Sequence, residues 1–291
     1  RLNKDEKTAT EYQTVAALGL AGKASPHAEW SSTPSNLGLE WKVSSDSLAY
    51  TKLSHGFKSG AINLGNLQPE AVKPETVRSL EIGAKTSILE KQGSLAVALF
   101  TSDYKNMQVS QVGLASVILT NASSAKINGL ELEMLVRPVK TWTLGMNIGL
   151  MDPTYTNFIN TNERVQPRAA VSVKGNQLAN ISKAQASLSA EWNESVGNYQ
   201  LSARSDYIWR DSFYFTEFNT ADTMQKAYSL LNLSGTIRPN GSAWKIYGQI
   251  RNAANTTALT SMTIASPLLL SARSVGYTPP RSVGVGVIVD F

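Results

Sequence analysis

Ser282-Val283-Gly284-Val285-Gly286-Val287-Ile288-Val289-Asp290-Phe291 is the stretch that decides the fold. Val283, Val285, Val287, Val289 and Phe291 share one phase. Ser282, Gly284, Gly286 and Asp290 share the other, with Ile288 the only apolar residue out of step. Alternate side chains leave opposite faces of an extended strand, so this one has a greasy side and a small or polar side.

The same period recurs upstream. Leu37, Leu39, Trp41 and Val43 alternate with Gly38, Glu40, Lys42 and Ser44. Leu80, Ile82, Ala84 and Ile88 oppose Glu81, Gly83, Lys85 and Ser87, and Leu130, Leu132, Met134 and Val136 oppose Glu131 and Glu133. Trp142, Leu144, Met146, Ile148 and Leu150 oppose Thr143, Gly145, Asn147 and Gly149. Further examples are Ala186–Trp192, Tyr199–Trp209 and Trp244–Ile250, with weaker strands near 47–57, 94–104 and 228–238. Helical spacing fits none of these segments as well. The chain is all-β.

Composition removes other classes. Charged residues are 17% of 291, well below the roughly 25% of soluble domains. No window of about 18 apolar residues exists, so no helix spans a bilayer. Zero cysteine excludes disulfide frameworks, thiolate zinc sites and cysteine nucleophiles. The net charge of +5 is scattered, with no basic block to track a nucleic-acid backbone. The start, Arg1-Leu2-Asn3-Lys4-Asp5-Glu6-Lys7, carries no secretory signal, so either the chain is mature or the front of a longer protein lies elsewhere.

A soluble β-sandwich would also alternate apolar with polar. Three features favour an antiparallel transmembrane β-barrel instead. Links alternate between short (near 44–47, 89–93, 137–141, 193–198, 239–243) and long (near 57–76, 105–125, 151–183, 210–227, 252–281). Tight turns on one rim and long loops on the other are the pattern of an outer-membrane barrel. Trp41, Trp142, Trp192 and Trp244 each lie near a short link and on the greasy face, as an interfacial aromatic girdle would. Several strands have about the nine to eleven residues that a tilted strand needs to cross hydrocarbon. About 11–12 strands are countable, which makes either a complete barrel or part of a larger one.

Several segments resemble TonB-dependent outer-membrane receptors: Leu48-Ala49-Tyr50 with Gly56-Phe57-Lys58-Ser59-Gly60; Lys73 to Lys85; and Phe100 with Asp103-Tyr104 and Gln108. Asn121-Ala122 with Gly129-Leu130-Glu131-Leu132-Glu133, and the closing Pro280-Arg281 to Phe291, follow in the family's order. The resemblance covers most of residues 1–291 and implies a 22-strand barrel with a plugged lumen. Residues 1–291 would then be the C-terminal half of that barrel, with the plug domain and first barrel half absent from this chain. It further implies active import of a large scarce solute. A ferric siderophore comes first, vitamin B12 or an oligosaccharide next, with energy from the TonB complex acting through the plug. The partners implied are outer-membrane lipid and the barrel assembly machinery, and the location is the bacterial cell outer membrane. Phe291 with Val289, Val287, Val285 and Val283 looks like the terminal signal read by that machinery. A complete passive barrel of about twelve strands is the alternative.

Lumen-facing charges (Glu40, Lys42, Glu81, Lys85, Glu131, Glu133, Glu191, Arg204, Asp206, Lys245, Arg251) read first as hydration of a channel and cross-strand pairing. Tyr155, Phe158, Phe213, Tyr214, Phe215 and Phe218 lie in or beside long loops, where aromatic faces suit stacking on chelates, corrinoids or sugars. Trp209 reads better as an upper girdle residue. No enzyme is expected. His27 and His55 lack a serine in a nucleophile setting, and Gly284-Val285-Gly286 is followed by no helix. No metal or cofactor set is present in the pattern.

Overall fold

The computed structural model describes residues 3–15, 20–63, 71–112, 117–162, 164, 169–265 and 267–290. Eleven strands run in simple up-and-down order: β1 (Ser35–Lys42), β2 (Ser47–Lys58), β3 (Glu75–Ile88), β4 (Gly93–Val112), β5 (Val117–Val139), β6 (Trp142–Thr161), β7 (Ala184–Val196), β8 (Tyr199–Arg210), β9 (Tyr228–Pro239), β10 (Trp244–Arg251) and β11 (Ser282–Val289). Each pairs antiparallel with the next. Upstream, Asn3–Thr8 pairs with His27–Ser32 and Glu11–Val15 with Leu20–Ala24, forming a hairpin that leads into β1. Among the described residues β1 and β11 share no pairing, so the sheet is open rather than closed on itself.

The tight links all fall at one end. Leu89, Glu90 and Lys91 take positive φ, as do Gly197 and Gly241, which lets the chain reverse within a few residues. Asp46 in one turn meets Lys91 of the next at 2.9 Å, and that ammonium holds its carboxyl below the usual carboxylate range. At the opposite end the long connections depart from their reading as loops. The segment near 105–125 is mostly strand: β4 runs on to Val112 and β5 begins at Val117, a hairpin rising above the sheet. Its polar residues satisfy their own ladder, and the Asn121 side chain ties it down by donating to the carbonyls of Lys73 and Asn106. Other connections carry small hairpins, Phe213–Tyr214 with Met224–Gln225 and Leu259–Ile264 with Arg273–Tyr277.

Register puts the two side-chain phases on two continuous faces. Leu39, Thr51, Ile82, Leu99, Leu130 and Leu150 lie in one row across six strands. These residues are open to the surroundings (Leu39 67%, Ile82 56%, Leu99 56%), and no second sheet covers them among the described residues. That rules out the sandwich, whose apolar faces must meet. Glu40, Tyr50, Gly83, Ala98 and Glu131 form the neighbouring row on the other face, where the Tyr50 hydroxyl donates to Glu81 at 2.7 Å. Trp41, Trp142, Trp192 and Trp244 all sit at the short-turn end, and Trp142 is the direct cross-strand partner of Trp192.

On the polar face aromatic rings lie over glycines of the adjacent strand: Tyr50 over Gly83, Phe100 over Gly129 and Tyr247 over Gly286. A Cβ at Gly129 would fall 2.3 Å from the Phe100 ring. Gly129→Ala should therefore destabilise the sheet by about 1–3 kcal/mol. Heat-modifiable gel mobility of the full-length protein reads this out as a lower conversion temperature. Phe100→Ser should restore most of the loss, and a G129A variant indistinguishable from wild type would refute the packing.

Candidate functional site

The long-loop end carries the only sizeable dry core among the described residues. Tyr155 and Phe158 project inward from β6 above the sheet and meet Ala125, Val173 and Leu178, with Phe218 packed against them. Tyr155 and Phe158 stand tilted, with centroids 5.4 Å apart. Burial raises the Tyr155 phenol to about 12, so the ring stays neutral there. Phe213 is equally buried, edge-on to Phe215 at 5.1 Å and faced by the Arg210 guanidinium at 3.9 Å. Arg210 also donates to Ser182 Oγ at 2.5 Å and to the Asn180 carbonyl at 2.6 Å.

Polar contacts join three connections (162–183, 211–227 and 252–281) into one layer. Asn219 mimics a strand partner: its Oδ1 accepts from Gln177 N at 2.7 Å and its Nδ2 donates to Gln177 O at 3.0 Å. Asn160 donates to the Glu217 carboxylate at 2.5 Å, and Asn176 to the Glu217 carbonyl at 2.9 Å. Asp222, on the short 3-10 turn Ala221–Thr223, accepts from both Arg164 and Arg273. Hydrogen bonding from Thr220, then the two guanidinium charges, hold the Asp222 carboxyl below its ordinary range. A cleft of about 260 Å³ opens beside this clamp, lined among others by Phe215, Phe218, Met262, Arg164, Asn160 and Glu217. At the other end of the polar face Glu40, Lys42, Lys85, Glu133 and Asn147 line a broader groove of about 820 Å³.

The six aromatics picked out from sequence thus separate into two groups. Tyr155, Phe158, Phe213 and Phe215 are buried and build the layer, because inward-folded loops need a core of their own. Tyr214 and Phe218 are half-buried, and Phe218 reaches the cleft. Phe291 lies outside the described residues, while Val283, Val285, Val287 and Val289 stand on the exposed apolar face of β11. Sequence reasoning missed Arg164, Asp222 and Arg273. No spacing could have signalled them, since Asp222 lies 58 and 51 residues from its two partners. Glu6, His27 and Glu29 bring possible metal-ligand atoms within 4.8 Å, but all are solvent-exposed and Lys4 already holds Glu29 at 3.0 Å. That is a solvated charge cluster.

An up-and-down sheet, apolar outside, with a knitted loop layer over a polar inner face, matches a known group. The profile described as "TonB dependent receptor-like, beta-barrel" matches residues 3–253. The chain belongs to this TonB-dependent receptor family. Its members are β-barrels of the bacterial outer membrane. The chain is 22% identical over 191 residues to the probable TonB-dependent siderophore receptor PiuA of Acinetobacter baumannii, covering 63% of this chain and 25% of that protein. Among solved structures, the ferric yersiniabactin uptake receptor FyuA from Yersinia pestis superposes with TM-score 0.81 at 19% identity, covering 100% of this chain and 42% of that one. The crystal structure of A. baumannii PiuA superposes with TM-score 0.73 at 19% identity, covering 98% and 39%. The chain thus spans about two-fifths of these solved receptors.

Asp222→Asn should unfasten the layer. An exposed ion pair contributes up to about 1 kcal/mol, so amide hydrogen exchange in 211–227 and 267–277 should quicken up to about fivefold, with the sheet unchanged. Since the Asp222 value is depressed, the clamp is intact above about pH 4 and weakens as pH falls through the folded-state value. Wild-type exchange should approach that of D222N only in that acid range; equal exchange at neutral pH would contradict the clamp.

Proposed function

We propose that this chain forms part of the barrel of an active importer for a large scarce solute, a ferric siderophore above all. Import would draw on energy from the TonB complex through a plug in the lumen. The observation that carries the reading is the loop layer: three long connections fold inward over the polar face and are clamped into one body at Asp222. A passive pore needs no such cap. The named functions of the relatives, siderophore and yersiniabactin uptake, support the same substrate class.

In this reading the ligand is met at the loop end, with Phe218 and Tyr214 offering ring faces and Arg164, Asn160 and Glu217 offering polar contacts in the cleft. Tyr155, Phe158, Phe213 and Phe215 act beneath it as the support that sets its shape. The broad inner groove around Glu40, Lys42, Lys85 and Glu133 faces the plug. The valines of β11 and Phe291 serve as the assembly signal, and the four tryptophans as the girdle at the short-turn rim. Vitamin B12 and oligosaccharides are the next substrates to try. No step of bond chemistry is assigned to the barrel.

The test is uptake of radiolabelled iron as a panel of ferric siderophores by cells lacking the gene, complemented with the full-length receptor. One chelate should restore uptake, collapse on dissipation of the proton gradient, and lose affinity about tenfold with Phe218→Ala, roughly the loss of one good stacking contact. Restoration by no iron chelate would overturn the siderophore assignment.

A further inference from the structure

On the middle strands the outward face changes from apolar to polar or charged within one or two side-chain repeats. On β3 Leu80 is followed two residues up by Arg78, on β5 Leu130 by Asn128 and Lys126, on β6 Leu150 by Asp152. Just above that boundary Arg78, Asp103 and Lys126 are direct cross-strand neighbours on β3, β4 and β5. Lys105 stands one repeat further up β4, on the same outward side, opposite Thr76. Arg78 and Lys105 are exposed. Asp103 is the one carboxylate among these three cations, and its ion pair, at 3.8 Å, is with Lys126. No carboxylate lies within ion-pair distance of Arg78 or Lys105 among the described residues.

A cation pointing outward at the very edge of a lipid-facing leucine row sits at the depth of the headgroups, where an anionic group gains from both the charge and the reduced dielectric. We propose that Arg78, Lys105 and Lys126 form a seat for the phosphate of an anionic lipid of the outer leaflet, against the outer wall of β3–β5. The chemistry is that of a phosphomonoester headgroup: β3, β4 and β5 each present a guanidinium or ammonium donor on this edge, three positive charges against the single Asp103 carboxylate, while Leu80, Leu99 and Leu130 below receive the lipid chains. The seat is separate from the cleft, which lies among loops on the inward side. It depends on the outer-membrane setting and not on which solute is imported.

Native mass spectrometry of the full-length receptor in mixed micelles tests this, with phosphatidic acid and phosphatidylcholine as competing probes. Wild type should retain phosphatidic acid in preference. Each cation neutralised should reduce that preference about fivefold, so R78Q/K105Q should lose about 25-fold. The charge-keeping pair R78K/K105R should retain most of it, and Lys52→Gln, on the inner face, should retain all. If R78Q/K105Q fails to assemble, as shown by lost heat-modifiable mobility, the single variants decide, each losing about fivefold. Equal retention of both lipids by wild type, no loss in the variants, or as large a loss in Lys52→Gln would overturn the proposal.

Discussion

Every backbone amide in a lipid-embedded sheet must find its partner within the sheet, because hydrocarbon offers none. The rest of this structure depends on that constraint. It explains why the strands run up and down without crossovers, why each pairs along its length with the next, and why the links at one end shrink to two or four residues, three of the links turning through positive-φ backbone. It also explains the side-chain pattern. Once the ladder is complete, period two sorts the residues: leucine and valine outward, glutamate, lysine, tyrosine and glycine inward. Hydrophobic burial in the usual sense plays little part in the sheet. The outward leucines remain uncovered by protein, and the tightly packed core lies among the loops.

That division separates two physical regimes in one chain. The sheet is held by main-chain hydrogen bonds and by local fits such as Phe100 over Gly129. The loop layer is held like a small soluble domain, by Tyr155, Phe158, Val173 and Leu178 inside and by a polar mesh outside. The layer can therefore vary in shape without disturbing the ladder below it.

Legibility in the sequence followed the same division. The strands were readable because alternation is local: the eight residues of β11 or nine of β6 already declare both faces. The short turns were readable from the breaks between phases, and the tryptophan positions came with them. The loops were not. The segment 105–125 read as a loop because its apolar residues (Met107, Val109, Val112 and Val117-Ile118-Leu119) keep no single phase, yet Gln108 and Asn121 hold it in a ladder through contacts 33 to 49 residues away. Of the six aromatics assigned to the long loops, Tyr155 and Phe158 instead lie on the upper part of β6, and nothing in their spacing distinguishes a ring that supports the layer from one that faces the cleft. Asp222 and its two arginines meet only through tertiary folding, which no window of sequence contains.

The central claim is that one phase of each strand faces lipid and the other faces the lumen. These 291 residues hold no cysteine, so single-site spin labelling within them needs only the replacement of any cysteine elsewhere in the receptor. Labels at Leu130, Leu132, Val285, Glu131, Glu133 and Gly284 of the full-length receptor in bilayers should report collision with dissolved oxygen at Leu130, Leu132 and Val285, and with a polar nickel complex at the other three. Uniform accessibility along β5 and β11, or protection of Val285 by protein in a water-soluble particle, would contradict the account.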